Sequence, residues 1–452
     1  MSMAKVRDMT KGNETSLLLN FMLPMLLGNV FQQFYNIVDS AIVGRFEGAT
    51  SLGAIGCTGS LNFLFFSTCN GLSVGAGILV AQSFGAKNKE LVKKTIANSL
   101  YIVGAVGFLI SILGVLLARP VLTFMETPAT QLEDAIDYMR IISSGTIAVA
   151  VYNFAAQAMR ALGDSKTPLI FLIVSSFINV GLDILFVCVF KWSVVGAGLA
   201  TIISQAVSAI LCLAYGFMKN PYFRLSREHL VFNKNIAQKC FMVGMPIASQ
   251  GMLIALSCVI LQRVTNSFND LAVSAYTVTI RIEQLVQQPF ASLGSALSSF
   301  TGQNMGAGKP ERIRKAMKKS TLMVLGFSAF MLGVCHVFGE NIVSFFVNEI
   351  DVIKLGANGL KITSMMYFFL GMIYVTRGIL NGTGDVFYAM LNGFMEITGR
   401  VGFSLILVGL VDIGVYAVWL TSGLTWVITG FTGIIRYNQG KWHNYKMVDK
   451  KE

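Results

Sequence analysis

Two aspartates stand where an apolar chain has least use for them. Asp39 lies in Tyr35-Asn36-Ile37-Val38-Asp39-Ser40 and Asp183 in Asn179-Val180-Gly181-Leu182-Asp183, each inside a run apolar enough to cross a bilayer. A carboxylate in such a run costs at least about 2.5 to 3.5 kcal/mol and is by default a functional group. Tyr35 and Asp39 are four apart, as are Asn179 and Asp183, and Thr201 and Gln205, so each pair shares one helix face. If the three faces converge, they make a pocket of two carboxylates, a phenol, an amide and a hydroxyl, with no Lys or Arg in the same helices to neutralise it. Two neighbouring carboxylates in a low dielectric cannot both stay bare, so the pair keeps a proton or holds a cation. Such a pocket exchanges H+ or binds Na+ through hard oxygen ligands. The plainer alternative makes each aspartate a hydrogen-bonded structural residue near a helix end.

The elements that must position these groups follow from composition. Of 452 residues, 54% are hydrophobic and 13% charged, about half the charged fraction of a soluble domain. Soluble folds are excluded. Runs able to cross about 30 Å of hydrocarbon lie near 17 to 43, 52 to 83, 94 to 118, 135 to 162, 167 to 190 and 194 to 218, then 238 to 262, 271 to 302, 320 to 339, 357 to 383, 386 to 410 and 413 to 435. The expected fold is an all-α polytopic membrane protein of twelve transmembrane helices.

Lys and Arg set the orientation, because cytoplasmic loops carry their excess. Of 35, the segments at one side hold 25, among them Lys5, Arg7, Lys11 and the run Lys309 to Lys319, and the opposite loops hold five. Both termini are expected in the cytoplasm of a multi-pass plasma-membrane protein. The net charge of +12 reads as this bias and as attraction to anionic membrane lipids, with no nucleic acid partner. The first apolar run is too long for a signal peptide, and the seven cysteines read as small packing residues. No glycine-rich loop ends in Lys-Ser or Lys-Thr, so nothing cradles ATP. Transport would draw on an ion gradient, with no cofactor beyond H+ or Na+.

The chain repeats itself at 221 residues. Gln82-Ser83-Phe84-Gly85-Ala86, with Glu90 and Lys93-Lys94, returns as Gln303-Asn304-Met305-Gly306-Ala307 with Glu311 and Arg314-Lys315, and Gly163-Asp164 returns as Gly384-Asp385. This predicts two pseudo-symmetric six-helix bundles, at 15–218 and 238–436, with a cytoplasmic N-terminal segment 1–14, a linker 219–237 and a tail 437–452. The Gly-Asp pairs read as turn chemistry: glycine takes the left-handed conformation and aspartate caps the next helix. Gly382-Thr383-Gly384-Asp385 also spells a GxGD intramembrane protease signature, but its repeat puts it in a turn rather than mid-membrane.

Laid half against half, with a one-residue slip in the first helix where Pro24 and Pro246 stand 222 apart, Asp39 corresponds to Leu261, Asp183 to Ser404 and Asn179 to Arg400. The cation pocket has no counterpart in the second half. There Glu396 and Arg400, four apart, suggest an ion pair, while Glu283 stands two from Arg281 and off its face; neither these residues nor Arg377 has a role from sequence alone. Pro24, fifteen residues before Asp39, removes a backbone hydrogen bond and permits a hinge.

Together Pro24 to Asp39, the paired Gln-x-x-Gly-Ala turns, Arg160-Ala161-Leu162-Gly163-Asp164, Asn179 to Asp183 and Gly196 to Thr201 resemble the multidrug and toxic compound extrusion (MATE) family over nearly the whole chain. The resemblance implies two six-helix lobes about a V-shaped cavity, no enzymatic activity, a monomer, and export of small organic substrates, often cationic, in exchange for H+ or Na+. Carried onto this sequence, the coupling site of the branch with an N-lobe pocket falls on Tyr35, Asp39, Asn179, Asp183 and Thr201, with Asp39 and Asp183 the ligands if Na+ binds. Gln32 and Asn153 fall on positions lining the same cavity, and Asn36 and Gln205 are assigned with them. The other branch places its coupling acids in the seventh and tenth helices, where this chain has none at Ile247 to Leu256 or Met365 to Gly371. A flippase for a lipid-linked precursor is the alternative within the same superfamily.

Overall fold

The computed structural model describes residues 6–411, 413–445 and 447–448, without the side chains of Ser40, Ala41, Ala49 and Leu52. Lys5, Lys446, Lys450 and Lys451, counted above for orientation, lie outside the described residues. The described chain is helical throughout and shows no strand. Its α-helices are α1 (Glu14–Phe46), α2 (Gly48–Gly85), α3 (Lys89–Phe124), α4 (Ala129–Ser144), α5 (Thr146–Ala161), α6 (Lys166–Asp183), α7 (Ser193–Lys219), α8 (Lys234–Thr265), α9 (Asp270–Gly306), α10 (Pro310–Ser344), α11 (Ile350–Ser364), α12 (Tyr367–Thr383), α13 (Val386–Ser404) and α14 (Ala417–Asn438).

Among the described residues nine helices are long and apolar enough to span a bilayer, and two bent pairs, α4–α5 at 44° and α11–α12 at 53°, each count as a broken span. The twelfth rod is α9, 37 residues long but diluted by Arg281, Glu283, Gln284, Gln287 and Gln288. The sequence reads 135–162 and 357–383 as continuous spans; the structure breaks both at matching places. Hydropathy carries no mark of such a break.

Residues that face the core are small, and the large ones face outward. On α3 the buried stripe runs Val92, Ile96, Ser99, Val103, Gly107, Ser111, Gly114, Ala118 and Leu122, while Phe108, Leu109, Leu113 and Leu116 are exposed. This inverts the soluble pattern, because lipid is as apolar as leucine and helix association in a bilayer rests on close packing of small residues.

By packing, the chain groups into two units, one of Met1–Met9, Leu23–Ala248 and Val448–Glu452, the other of Thr10–Met22 and Ser249–Met447. The divisions fall inside α1, beside Pro24, and inside α8, beside Pro246. Within the first unit α2 lies against α5, α3 and α4, and α7 against α6, α5 and α4. A Cβ on Gly75 of α2 would stand 2.6 Å from the Gly244 Cα of α8, so bare backbones make that crossing. Within the second unit α12 packs on α9 and α14, and α14 on α13; a Cβ on Gly378 would stand 2.3 Å from the Gly294 carbonyl oxygen.

The repeat governs local backbone as well. Asp183 leads directly into a π-helical turn, Ile184–Val189, and Ser404 into another, Leu405–Leu410. The Gly-Asp turns agree too: Gly163 has φ +88° and Gly384 φ +89°. Asp164 accepts from the Lys166 and Thr167 amides at 3.1 and 3.0 Å, and Asp385 from the Tyr388 amide at 3.1 Å. Asp385 is further bound by Arg436 at 2.8 and 3.1 Å, which makes it a structural anchor.

Where α7 crosses α4–α5, and α14 crosses α11–α12, the copies trade knob for hole. In the first half Gly145 at the break receives Ile202, and Gly198 receives Ile141 with the Tyr138 ring beside it; in the second Gly423 receives Met366 at the break, and Gly359 receives Trp419. At 221 residues' offset each glycine answers to the other half's large side chain.

Candidate functional site

Two helices of the first unit, α1 and α6, bring Tyr35 and the two carboxylates together. Near its C-terminal end, α1 carries Tyr35 and Asp39, both half-buried. At the end of α6, Asp183 is 0% and Asn179 1% exposed. The carboxyl groups of Asp39 and Asp183 lie within hydrogen-bonding reach of each other, yet neither Asp183 oxygen nor Oδ1 of Asp39 has a donor. Buried polar groups without partners are rare and call for an explanation. Two bare carboxylates have no donor between them; one proton, or a cation, supplies what is missing.

Other polar groups on helices of the same unit are also short of partners. Both side-chain polar atoms of Asn179, Nδ2 of Asn153 on α5 and Oε1 of Gln205 on α7 are buried without partners. Thr201 is half-buried and donates its hydroxyl to the Ala197 carbonyl at 3.0 Å, which leaves the hydroxyl oxygen able to accept or ligate. Gln32 is half-buried and Asn36 exposed. Pro24 is buried within α1.

Sequence spacing misses one member. Tyr138 of α4, 7% exposed, lies close enough to interact electrostatically with Asp39, Tyr35 and Asp183. Its ring rests on Gly198, where a Cβ would stand 3.5 Å from it. The signal was the Gly196-Ala197-Gly198 run, which marks a close approach but not the side chain that fills it. Tyr138 also belongs to an apolar cluster with Val43, Val187, Val194 and Ala197. Val43 and Val187 stand one turn beyond Asp39 and Asp183, and Ala197 one turn before Thr201. The polar pocket thus has an apolar cap on the side of the α1 C-terminus.

Any cation here would rest on two carboxylates and neutral oxygens. Among the described residues no group of three or more His, Cys, Asp or Glu could hold a metal ion, so the donor set suits a hard monovalent ion or a proton rather than a transition metal.

The second unit is built otherwise. Leu261, at the Asp39 position, is 1% exposed in an apolar cluster with Tyr276, Val418 and Trp419. Glu396 meets Arg400 at 3.5 Å and Arg377 at 4.0 Å. Arg377 donates to Asn392 at 2.8 Å, as does Gln250, and Arg400 donates to Ser257 and Cys258. Arg281 is exposed while Glu283 is buried, so the two do not pair.

A family model described as MatE matches residues 24–185 and 246–399. The chain is 26% identical over 449 residues to the Probable multidrug resistance protein YpnP of Bacillus subtilis, covering 99% of this chain and 100% of that one. It is 23% identical over 442 residues to the Probable multidrug resistance protein NorM of Thermotoga maritima, covering 96% and 94%. A solved outward-facing conformation of a multidrug resistance MATE family transporter of the MOP superfamily shares its fold, with a TM-score of 0.91 at 20% identity over 99% of this chain and 100% of that one.

Proposed function

The chain belongs to the MatE family, whose model spans most of both halves of the repeat, and on that footing we propose that it is a secondary antiporter exporting organic compounds in exchange for H+ or Na+. The observation that carries this reading is the Asp39–Asp183 pair, facing and buried without a donor. As a member of a transporter family, it performs no catalysis. The multidrug names of the relatives support substrates that are varied, small, and cationic or amphipathic.

In the proposed cycle the pocket loads a proton or Na+ from outside, with Tyr35, Asn179 and Thr201 as neutral oxygen donors around the two carboxylates. Loading removes the like-charge conflict, changes how α1 packs about Pro24, and releases substrate outward. Gln32, Asn36, Asn153 and Gln205 line the substrate path. Return requires release of the ion to the cytoplasm. The distribution of Lys and Arg supports a plasma-membrane protein with both termini inside, acting as a monomer among lipids.

Reconstitution in liposomes with separately imposed pH and Na+ gradients tests the reading and identifies the ion. Substrate accumulation under one gradient is expected, with loss in Asp39→Asn; export by that variant at the wild-type rate refutes the site. The flippase reading draws on Arg281, Arg377 and Arg400, but Glu396 meets both Arg377 and Arg400 and offsets part of their charge. Tighter binding of an anionic lipid pyrophosphate than of organic cations would favour it.

A further inference from the structure

Between α7 and α8 the chain is not a loose tether. Arg227–His229 form a 3-10 turn, the Ser226 amide donates to the His229 ring at 2.9 Å, and the other ring nitrogen meets Glu90, near the start of α3, at 2.7 Å. The next residues lie against the same helix. Tyr101 donates its hydroxyl to the Leu230 carbonyl at 3.0 Å. Asn98, 0% exposed, donates to the Val231 carbonyl at 3.4 Å and accepts from the Asn233 amide at 2.6 Å. Backbone groups that leave water need partners of this kind.

The depth of this contact follows from α3. Toward its far end the helix carries an exposed ion pair, Arg119 with Glu133 at 2.7 Å, which belongs outside the hydrocarbon. About 30 Å of hydrocarbon is about 20 residues at a rise of 1.5 Å, and counting these back from Arg119 reaches Ser99. Asn98 and Tyr101 therefore stand at the opposite edge of the hydrocarbon, a depth that favours tyrosine, and the segment they hold stands there with them. It turns three large apolar side chains outward: Leu230 is 45%, Val231 67% and Phe232 58% exposed. Cations flank the run. Arg224 and Arg227 precede it and Lys234 follows, all exposed, and Glu228 is the one acid from 219 to 239. On α3 itself Lys94, also exposed, stands one turn outward from Asn98.

Apolar side chains at the hydrocarbon edge with cations beside them fit one partner, an anionic phospholipid surface. We propose that Leu230, Val231 and Phe232 are embedded in the leaflet on the Lys- and Arg-rich side of the membrane, and that Arg224, Arg227 and Lys234 hold anionic phospholipid headgroups around them. The long stems of these three side chains let their charges reach the headgroup level while the apolar run stays below it. The segment joining the two halves of the repeat is then a membrane-surface element, fastened to α3 by Asn98 and Tyr101, in place of the water-borne linker that its charge suggests. The proposal does not depend on what the chain exports or on which ion drives it.

Tryptophan fluorescence of Phe232→Trp tests it, with the full chain in lipid nanodiscs of phosphatidylcholine and phosphatidylglycerol, which leave both faces open to the medium. The readout is the emission added to that of the native tryptophans. Phosphatidylcholine with brominated chains should quench the added emission, and iodide in the medium should not. Quenching by iodide instead puts the segment in water, and shielding from both quenchers puts protein over it; either result overturns the embedding. At equal mole fraction, brominated phosphatidylglycerol should quench more than brominated phosphatidylcholine, and that advantage should be lost in R224Q/R227Q/K234Q carrying the same tryptophan. Equal quenching by the two lipids before the charges are removed, or an advantage that survives their removal, overturns the headgroup assignment. Should Phe232→Trp fail to fold, Val231→Trp carries the same test with the same outcomes.

Discussion

Replacing Asp39 by asparagine separates folding from coupling, because the amide supplies permanently the donor that a bound proton or cation supplies in the wild type. Oδ1 of Asp39 has no protein partner to lose, and the two oxygens of Asp183 accept nothing from the protein. An amide in the same place turns one N–H toward a fully buried carboxylate. A hydrogen bond to a charged group contributes about 1.5 to 3 kcal/mol, enough to stand in for the bound ion and to remove the like-charge conflict without it. Asp39→Asn should therefore melt in detergent at or above the wild-type temperature and keep its elution profile, while gradient-driven export in liposomes falls to the leak rate. The reasoning fails if the variant melts clearly below the wild type, since that would mean Asp39 holds a structural bond. It fails equally if the variant transports normally.

Other substitutions probe the frame around the pocket. Asp385→Ala strands Arg436, 8% exposed in its side chain, and should cost about 3 to 5 kcal/mol, read as a lowered melting temperature; an unchanged melt would remove Asp385 as an anchor. Gly145→Met should cost about 1 to 3 kcal/mol by overpacking Ile202. The double variant with Ile202→Gly should recover part of that, with a coupling of about 0.5 to 3 kcal/mol, and strict additivity would contradict the knob-and-hole account. Tyr138→Phe should keep the fold but weaken the apparent affinity for the coupling ion several-fold, because it removes a phenol from electrostatic range of the two carboxylates. Unaltered ion dependence would place the phenol outside the site.

Much of this was legible because helix geometry maps spacing onto faces. Residues four apart, such as Asn179 and Asp183, share a face whatever surrounds them. Apolar runs announce rods, and a repeat at 221 residues announces that the rods come in two sets. What spacing cannot give is which faces meet. Tyr138 stands among Glu133, Asp134 and Asp137 and reads as the wet start of a helix, yet it lies within electrostatic range of the carboxylates, on a face of α4 that packs against Gly198 of α7 through Ile141 and its own ring. Glu283 was read beside Arg281, but a spacing of two turns them apart, and its true neighbours, Thr363 and Tyr367, lie on the far side of a break that hydropathy does not register.

The exchanged knobs and holes at the α7 and α14 crossings bear on how two such halves diverged. At each contact one copy has glycine where the other has a large side chain, and the partner position is reversed: Gly145 and Ile202 against Met366 and Gly423, Tyr138 and Gly198 against Gly359 and Trp419. No single substitution converts one arrangement into the other. Two large residues at one contact would overpack it by about 1 to 3 kcal/mol, and two glycines would leave a void costing a few kcal/mol, on the order of a large-to-small core change, so each half is held to its own arrangement by both routes. The exchange has a chemical consequence. In the first half the aromatic of the pair sits on α4 and stands within electrostatic range of two carboxylates; in the second it sits on α14 as an indole, whose N–H goes to Thr279 at 2.9 Å.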